Sequence, residues 1–281
     1  MTEKEKFVRR ELPASEKAFL EKVEIVPKKI VDTDFWEVRP KEEADKPGLI
    51  IAAHGGGFCK GHREEDLCLA SKLAALTGNI VYDVDYLLAP EHPFPAAFNQ
   101  VYGLTAWAWE HADEVGFDRQ KLILFGSSAG GNLVAAAALK ANQTKAFKPA
   151  LQILNYPPLD LATDPADKKE AFKSYIPFER SREYNNWYVD AAKARDPYVS
   201  PCFASQGMLV GLPETVITTA GQDALHNEAE EYAFHLLEAG VLVTAKKFEQ
   251  SPHGFIVNRM GPEWEEAHAL LLRKIKEVSE K

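Results

Sequence analysis

The chain has 281 residues, of which 46% are hydrophobic, enough to fill a core and too many for global disorder. Lysine and arginine total 33 against 42 aspartates and glutamates, a formal charge of −9, and this acidic balance without a basic cluster argues against a nucleic-acid partner. No run approaches the roughly 18 apolar residues of a membrane span, and three cysteines without a C-x-x-C pair fit a reducing, cytoplasmic setting better than a disulfide framework.

Residues 1–22 read as a short amphipathic helix, with Phe7, Phe19 and Leu20 as its buried side chains. Two extended segments, around 23–31 and 34–38, follow as an antiparallel edge pair. From Gly48 onward strand and helix alternate. The strands fall near 49–53, 80–85, 122–125, 151–155, 214–219 and 242–248; the helices fall near 64–77, 96–111, 130–142, 226–239 and 262–280. These strands are short, rich in Val, Ile and Leu, and barely alternate in polarity, as parallel strands covered on both faces do. The pattern predicts a mostly parallel, doubly wound α/β sheet with right-handed crossovers. One segment breaks the rhythm: between Tyr156 and Pro201 about 45 residues pass without a strand, carrying Tyr175, Phe178, Tyr184, Trp187 and Tyr188. A structureless loop of that length is uncommon inside a domain. The expectation is a helical insertion folded over the sheet edge with its aromatics facing inward.

The chemistry starts at Gly126-Ser127-Ser128-Ala129-Gly130, where an apolar strand meets a helix. In such a G-x-S-x-G turn the central residue is held in a strained conformation at the tip, with its hydroxyl exposed beside a helix N-terminus. A serine hydroxyl is a poor nucleophile at neutral pH and needs a general base within hydrogen-bond reach. His253, in the Pro252-His253-Gly254 loop after the last strand, is placed to be that base. Asp223, at the end of the strand before, is placed to orient it; Glu228 and Glu249 are alternatives, one inside the next helix and one too close in sequence to His253. The other histidines, including His62 and His226, read as structural, and none has zinc-site spacing. After the first parallel strand stands His54-Gly55-Gly56-Gly57-Phe58. Its glycines can turn main-chain N–H groups toward an oxyanion, so Gly56 and Gly57, with Ala129 after the nucleophile, are the candidate donors. His54 reads as a brace for that loop. Cys59 beside it is either a thiol-sensitive point or, the preferred reading, a small buried filler.

With these four elements in order, the chain resembles the hormone-sensitive-lipase-like branch of the α/β-hydrolases, from about Gly48 to Phe255. The motifs stand as His54–Phe58, Asp85-Tyr86-Leu87-Leu88-Ala89-Pro90-Glu91-His92-Pro93-Phe94-Pro95-Ala96, Gly126–Gly131, Asp196-Pro197-Tyr198-Val199-Ser200-Pro201, and His253-Gly254-Phe255. The resemblance implies an α/β-hydrolase fold with a small helical cap, and a cofactor-free, metal-free carboxylesterase that acts on short acyl esters. Three departures stand out. Ser127 replaces the family's Asp before the nucleophile, Leu87 replaces the Arg of Asp-Tyr-Arg, and the family's Asp-Pro-Leu-Arg-Asp-Glu appears as Asp223-Ala224-Leu225-His226-Asn227-Glu228.

The expected architecture is one hydrolase domain over 1–281, capped by about 1–22 and about 157–196, with the second segment supplying most of the lid. Phe58, Trp187 and Tyr188 are the expected substrate contacts. The expected activity is hydrolysis of acetyl to butyryl esters through an acyl-enzyme. The same groups also serve an amidase or peptidase, and a ligand-binding homologue without turnover is a third reading. The partner is a small-molecule ester; the sequence leaves the oligomeric state open, a homodimer included.

Overall fold

In the computed structural model, which describes residues 12–42 and 44–280, eight strands form one sheet in the order β1-β2-β4-β3-β5-β6-β7-β8. The strands are β1 Val23–Ile30, β2 Thr33–Pro40, β3 Leu49–Ala53, β4 Ile80–Asp85, β5 Leu122–Ser127, β6 Leu151–Asn155, β7 Glu214–Gln222 and β8 Val243–Pro252. β1, β2 and β4 pair antiparallel, and every pair from β4 through β3 to β8 is parallel. The longer helices are α1 Glu64–Thr77, α2 Ala96–Glu110, α3 Ala129–Thr144, α4 Phe178–Tyr188, α5 His226–Glu238 and α6 Trp264–Ser279.

Successive strand residues point to opposite faces, and here both faces are apolar. Ile51, Leu124 and Leu154 pack with α2, α3 and α5, whereas Ile50, Ile123 and Ile153 pack with α1 and α6. Two layers of helix therefore enclose the sheet, and its continuous apolar strands have no wet side. This is the doubly wound, mostly parallel sheet expected from the strand–helix alternation.

The N-terminal expectation needs correction. Residues 12–22 form a turn of helix at Ala14–Lys17 and a tighter turn at Leu20–Lys22, not one continuous helix; Phe7 lies outside the described residues. Phe19 and Leu20 are half-buried, and the buried groups are Leu12 and Glu16. Glu16 docks this segment on the body, accepting from Lys72 Nζ of α1 (2.8 Å) and Arg259 Nε (2.9 Å). A buried carboxylate between two cations, with few apolar neighbours on its own turn, replaces the expected apolar stripe.

The insertion between β6 and β7 contains α4 and short turns at Ala171–Lys173 and Ala191–Lys193. Its aromatics do not all face inward. Tyr188 is fully buried and Phe178 and Tyr184 are half-buried, but Tyr175 and Trp187 are exposed. Positions 181, 184 or 185, and 188 share one helical face, and 187 falls outside it.

Candidate active site

Strand register brings the chemistry together at the carboxyl end of the sheet. Ala53 pairs with Gly126, so the His54–Phe58 loop leaves β3 beside the turn that ends β5. Gln222 pairs with Pro252, so Asp223 and His253 are the next residues on two adjacent strands. The β7–β8 ladder slips between Ala220 and Gln222, and this irregularity carries the end of β7 into place next to His253.

The β5–α3 turn explains its own sequence. Ser128 has φ 54° and ψ −121°, a strained conformation for a residue with a Cβ. A Cβ on Gly126 would sit 2.2 Å from Gly130 O, and one on Gly130 would sit 1.9 Å from Ala53 O. Both positions must be glycine for the turn to close against β3. Its underside is polar. Ser128 N–H donates to Asn155 O (2.8 Å), Asn155 Nδ2 donates to Ser127 Oγ (3.5 Å), and Thr218 Oγ1 donates to Asn155 Oδ1 (2.8 Å). Ser127, where the family carries Asp, is thus one end of a buried ladder across β5, β6 and β7.

The structure brings all three expected residues into contact. Ser128 Oγ lies 2.8 Å from His253 Nε2, and His253 Nδ1 lies 2.5 Å from Asp223 Oδ2. Asp223 and His253 are both buried. Glu228 and Glu249 are elsewhere. Glu228 accepts from the N–H groups of Leu159 (2.7 Å) and Asp160 (3.1 Å) and from Lys168 Nζ (2.5 Å); burial pushes its carboxyl up against the opposing pull of Lys168. Glu249 faces Lys247 on the surface. The histidine loop is braced from behind: Asn258 Nδ2 donates to Gly254 O (3.0 Å), and Arg63 donates to Asn258 Oδ1 (3.0 Å).

The glycine loop approaches from the β3 side. A Cβ on Gly55 would stand 3.2 Å from Ser128 Cβ, so the loop touches the serine directly. Gly56 and Gly57 have φ 134° and 59°, and a Cβ on Gly57 would meet the Tyr184 ring at 2.4 Å. Ala129 stands in the first turn of α3, whose N–H groups have no intrahelical acceptor. His54 braces the loop as expected: it stacks on Tyr86 (4.2 Å between centroids), Tyr86 Oη donates to His54 O (2.8 Å), and burial holds its imidazole below the usual range and hence neutral. Beside it, His62 is structural, as its sequence context suggests. It lies on Trp36 and 2.6 Å from Asp83, and although burial opposes its charge, Asp83 raises its pKa.

Above Ser128 is a cavity of about 60 Å³. Gly57, Phe58, Ala224 and Leu225 form its floor, and the insertion forms its roof through residues such as Lys168, Ser174, Ile176, Phe178 and Tyr184. Residues 12–22 take no part. Of the three expected substrate contacts, only Phe58 lines the cavity. Tyr188 is buried behind it, stacked at 3.7 Å, and Trp187 is 40% exposed with its ring 6.3 Å from Tyr184. Tyr184 and Phe178, two of the aromatics expected to face inward, do line the cavity, although Trp187 and Tyr188 are the ones singled out for substrate; a helical-face count from Tyr188 backwards selects Tyr184, and aromatic content misses Ile176. Among the described residues, no cluster of His, Cys, Asp and Glu is placed to hold a metal ion, and no helix is long and apolar enough to cross a membrane.

Residues 50–257 match the family described as alpha/beta hydrolase fold, and the chain belongs to that family, in its hormone-sensitive-lipase-like branch. An arylesterase of Saccharolobus solfataricus is 32% identical over 211 residues, which cover 74% of this chain and 68% of that one. An ethyl acetate hydrolase of Pseudomonas putida is 33% identical, covering 79% of this chain and 71% of its own. A hyperthermophilic esterase from Pyrobaculum calidifontis superposes with a TM-score of 0.83 at 29% identity, over 94% of this chain and 88% of that one. The chain is a carboxylic ester hydrolase.

Proposed function

We propose that the protein hydrolyses short-chain acyl esters, acetyl to butyryl, through an acyl-enzyme on Ser128. The observation that carries this reading is the unbroken contact Ser128–His253–Asp223, at 2.8 and 2.5 Å, beneath a cavity of about 60 Å³. Ser128 Oγ attacks the acyl carbon as its proton passes to His253 Nε2. The carbonyl oxygen becomes an oxyanion that the N–H groups of Gly56, Gly57 and Ala129 receive, each such donor being worth about 3–4 kcal/mol in the transition state. His253 returns the proton to the departing alcohol, the carbon–oxygen ester bond breaks, and the acyl group stays on Ser128. Water then attacks the acyl carbon with His253 as base, the bond from that carbon to Ser128 Oγ breaks, His253 returns the proton to Oγ, and the acid leaves. Asp223 holds the imidazole with Nδ1 protonated and stabilises the imidazolium.

The insertion, about 157–196, acts as the cap of a single hydrolase domain. It walls the cavity with Phe178, Ile176 and Tyr184, which supports a small acyl group. The ester in the name of the ethyl acetate hydrolase, an acetyl ester, points the same way. Three free thiols support a reducing, cytoplasmic setting. Ser128→Ala abolishes turnover of p-nitrophenyl acetate and labelling by a fluorophosphonate, and the wild-type enzyme cleaves a butyryl ester faster than a dodecanoyl ester. Retained activity in the variant overturns the serine assignment; the reverse chain-length order overturns the small acyl site.

A further inference from the structure

The segment 168–175 of the insertion lies antiparallel beside the loop 222–228 that carries Asp223, and the two are joined rung by rung. Lys168 Nζ donates to Glu228 Oε2 (2.5 Å), Asn227 Nδ2 donates to Lys169 O (3.2 Å), and His226 Nε2 lies 3.1 Å from Glu170 Oε2. Farther along, Ser174 Oγ donates to Asp223 Oδ1 (3.3 Å) and Tyr175 N–H donates to Gln222 O (3.0 Å). Two of these rungs, His226 and Asn227, stand at positions where the loop departs from the family pattern. The departures therefore sit where this cap meets this loop.

The rung at Asp223 bears on the chemistry. His253 occupies one carboxylate oxygen, Oδ2. That single bond leaves rotation about the terminal torsion of an aspartate open, because that torsion is broad and roughly two-fold. Oδ1 is fixed by two donors: Leu225 N–H (3.3 Å), from the acid loop itself, and the Ser174 hydroxyl, from the cap. Donors on Oδ1 oppose that rotation and so favour a carboxylate plane turned toward His253 Nδ1.

Resting on the esterase reading above, we propose that Ser174 is a positioning residue of the triad: through its hydroxyl the docked cap sets the orientation of Asp223, so that Ser128 reaches full reactivity only with the cap in place. The cap is thereby part of the triad's geometry and not only a wall of the acyl site. Ser174 also borders the cavity, so a substrate contact is the competing account. The two differ in which kinetic constant responds.

The test compares Ser174→Ala and Ser174→Thr with the wild-type enzyme in kcat and KM on p-nitrophenyl butyrate, in the phosphonylation rate of Ser128 by a small fluorophosphonate, and in melting temperature. Loss of one hydrogen bond to a charged group predicts about a tenfold fall in kcat and in phosphonylation rate for Ser174→Ala. KM stays within about twofold, and Ser174→Thr, which keeps the hydroxyl, recovers most of both rates. Asn227→Ala, which loosens a rung away from the cavity, lowers kcat in the same sense by a smaller factor. A Ser174→Ala enzyme with wild-type kcat, a rise in KM at unchanged kcat, or a loss that threonine does not recover each overturns the proposal. A wild-type enzyme inert to both ester and phosphonate overturns instead the esterase reading on which it rests.

Discussion

Gly57→Ala is the sharpest probe of the proposed oxyanion loop, because the structure opposes it in two separable ways. The residue sits at φ 59°, in the left-handed region, where an alanine costs about 1–2 kcal/mol. Its new Cβ would also stand 2.4 Å from the Tyr184 ring, so the ring or the loop must retreat by about 1 Å to reach ordinary van der Waals separation. Tyr184 belongs to the insertion and is only half-buried, so part of that retreat falls on the ring. The remainder moves the loop that carries two of the proposed donors; a full misplacement of about 1 Å costs on the order of 10²-fold in rate, and a partial shift added to the backbone strain reaches the same order. The expected result is a fall in kcat of about 10²-fold on p-nitrophenyl acetate with the fold intact by circular dichroism. The double variant Gly57→Ala/Tyr184→Ala removes the clash but not the backbone strain. It should recover to within about five- to thirtyfold of wild type, the rate equivalent of roughly 1–2 kcal/mol. A Gly57→Ala enzyme with wild-type kcat, or a double variant no better than the single, refutes the reasoning.

A second prediction concerns stability. His268 Nε2 donates to Ile256 O (3.0 Å), and Nδ1 accepts from Lys72 Nζ (3.0 Å), which has only protons to offer; burial and the Lys72 charge together push its pKa down to about 4. Above pH ~6.5 the group is neutral in both folded and unfolded chains; below it the unfolded chain takes up a proton the folded one refuses. Stability attributable to this site is therefore lost as pH falls from about 6.5 to about 4, by roughly 2 kcal/mol at pH 5 and roughly 3 kcal/mol at the lower end. Urea midpoints at pH 7.5 and pH 5 should lie farther apart in wild type than in His268→Gln; equal separations sink this assignment. A third prediction concerns Cys59, whose thiol burial pushes up to about 12, so that almost no thiolate exists at neutral pH. Iodoacetamide at pH 7.5 should leave esterase activity unchanged over an hour; rapid loss prevented by Cys59→Ser would show the thiol to be reactive.

The parts of the site legible in the sequence are those set by local chemistry. Gly126 and Gly130 announce the turn because no Cβ fits there, and Ser128 follows as its tip. Ser128, Asp223 and His253 each stand at a strand end, in the nucleophile–acid–histidine order of hydrolases with this elbow. Glu228 was separable from Asp223 because one falls in a helix and the other at its approach.

Local chemistry along the chain specifies the elements, the mostly parallel wound sheet and the loops that bear the reactive groups. Period, glycine placement and strand-end position act within a few residues of each other, and so they can be read locally. Tertiary structure alone decided what covers the site. Tyr188 turned in behind Phe58 while Trp187 turned out, residues 12–22 settled on α1 and Arg259 in place of the cavity, and Ser174 reached Asp223 across 49 positions of chain. Those contacts join segments with no common periodicity, and their geometry is fixed only when the insertion packs down on the finished sheet.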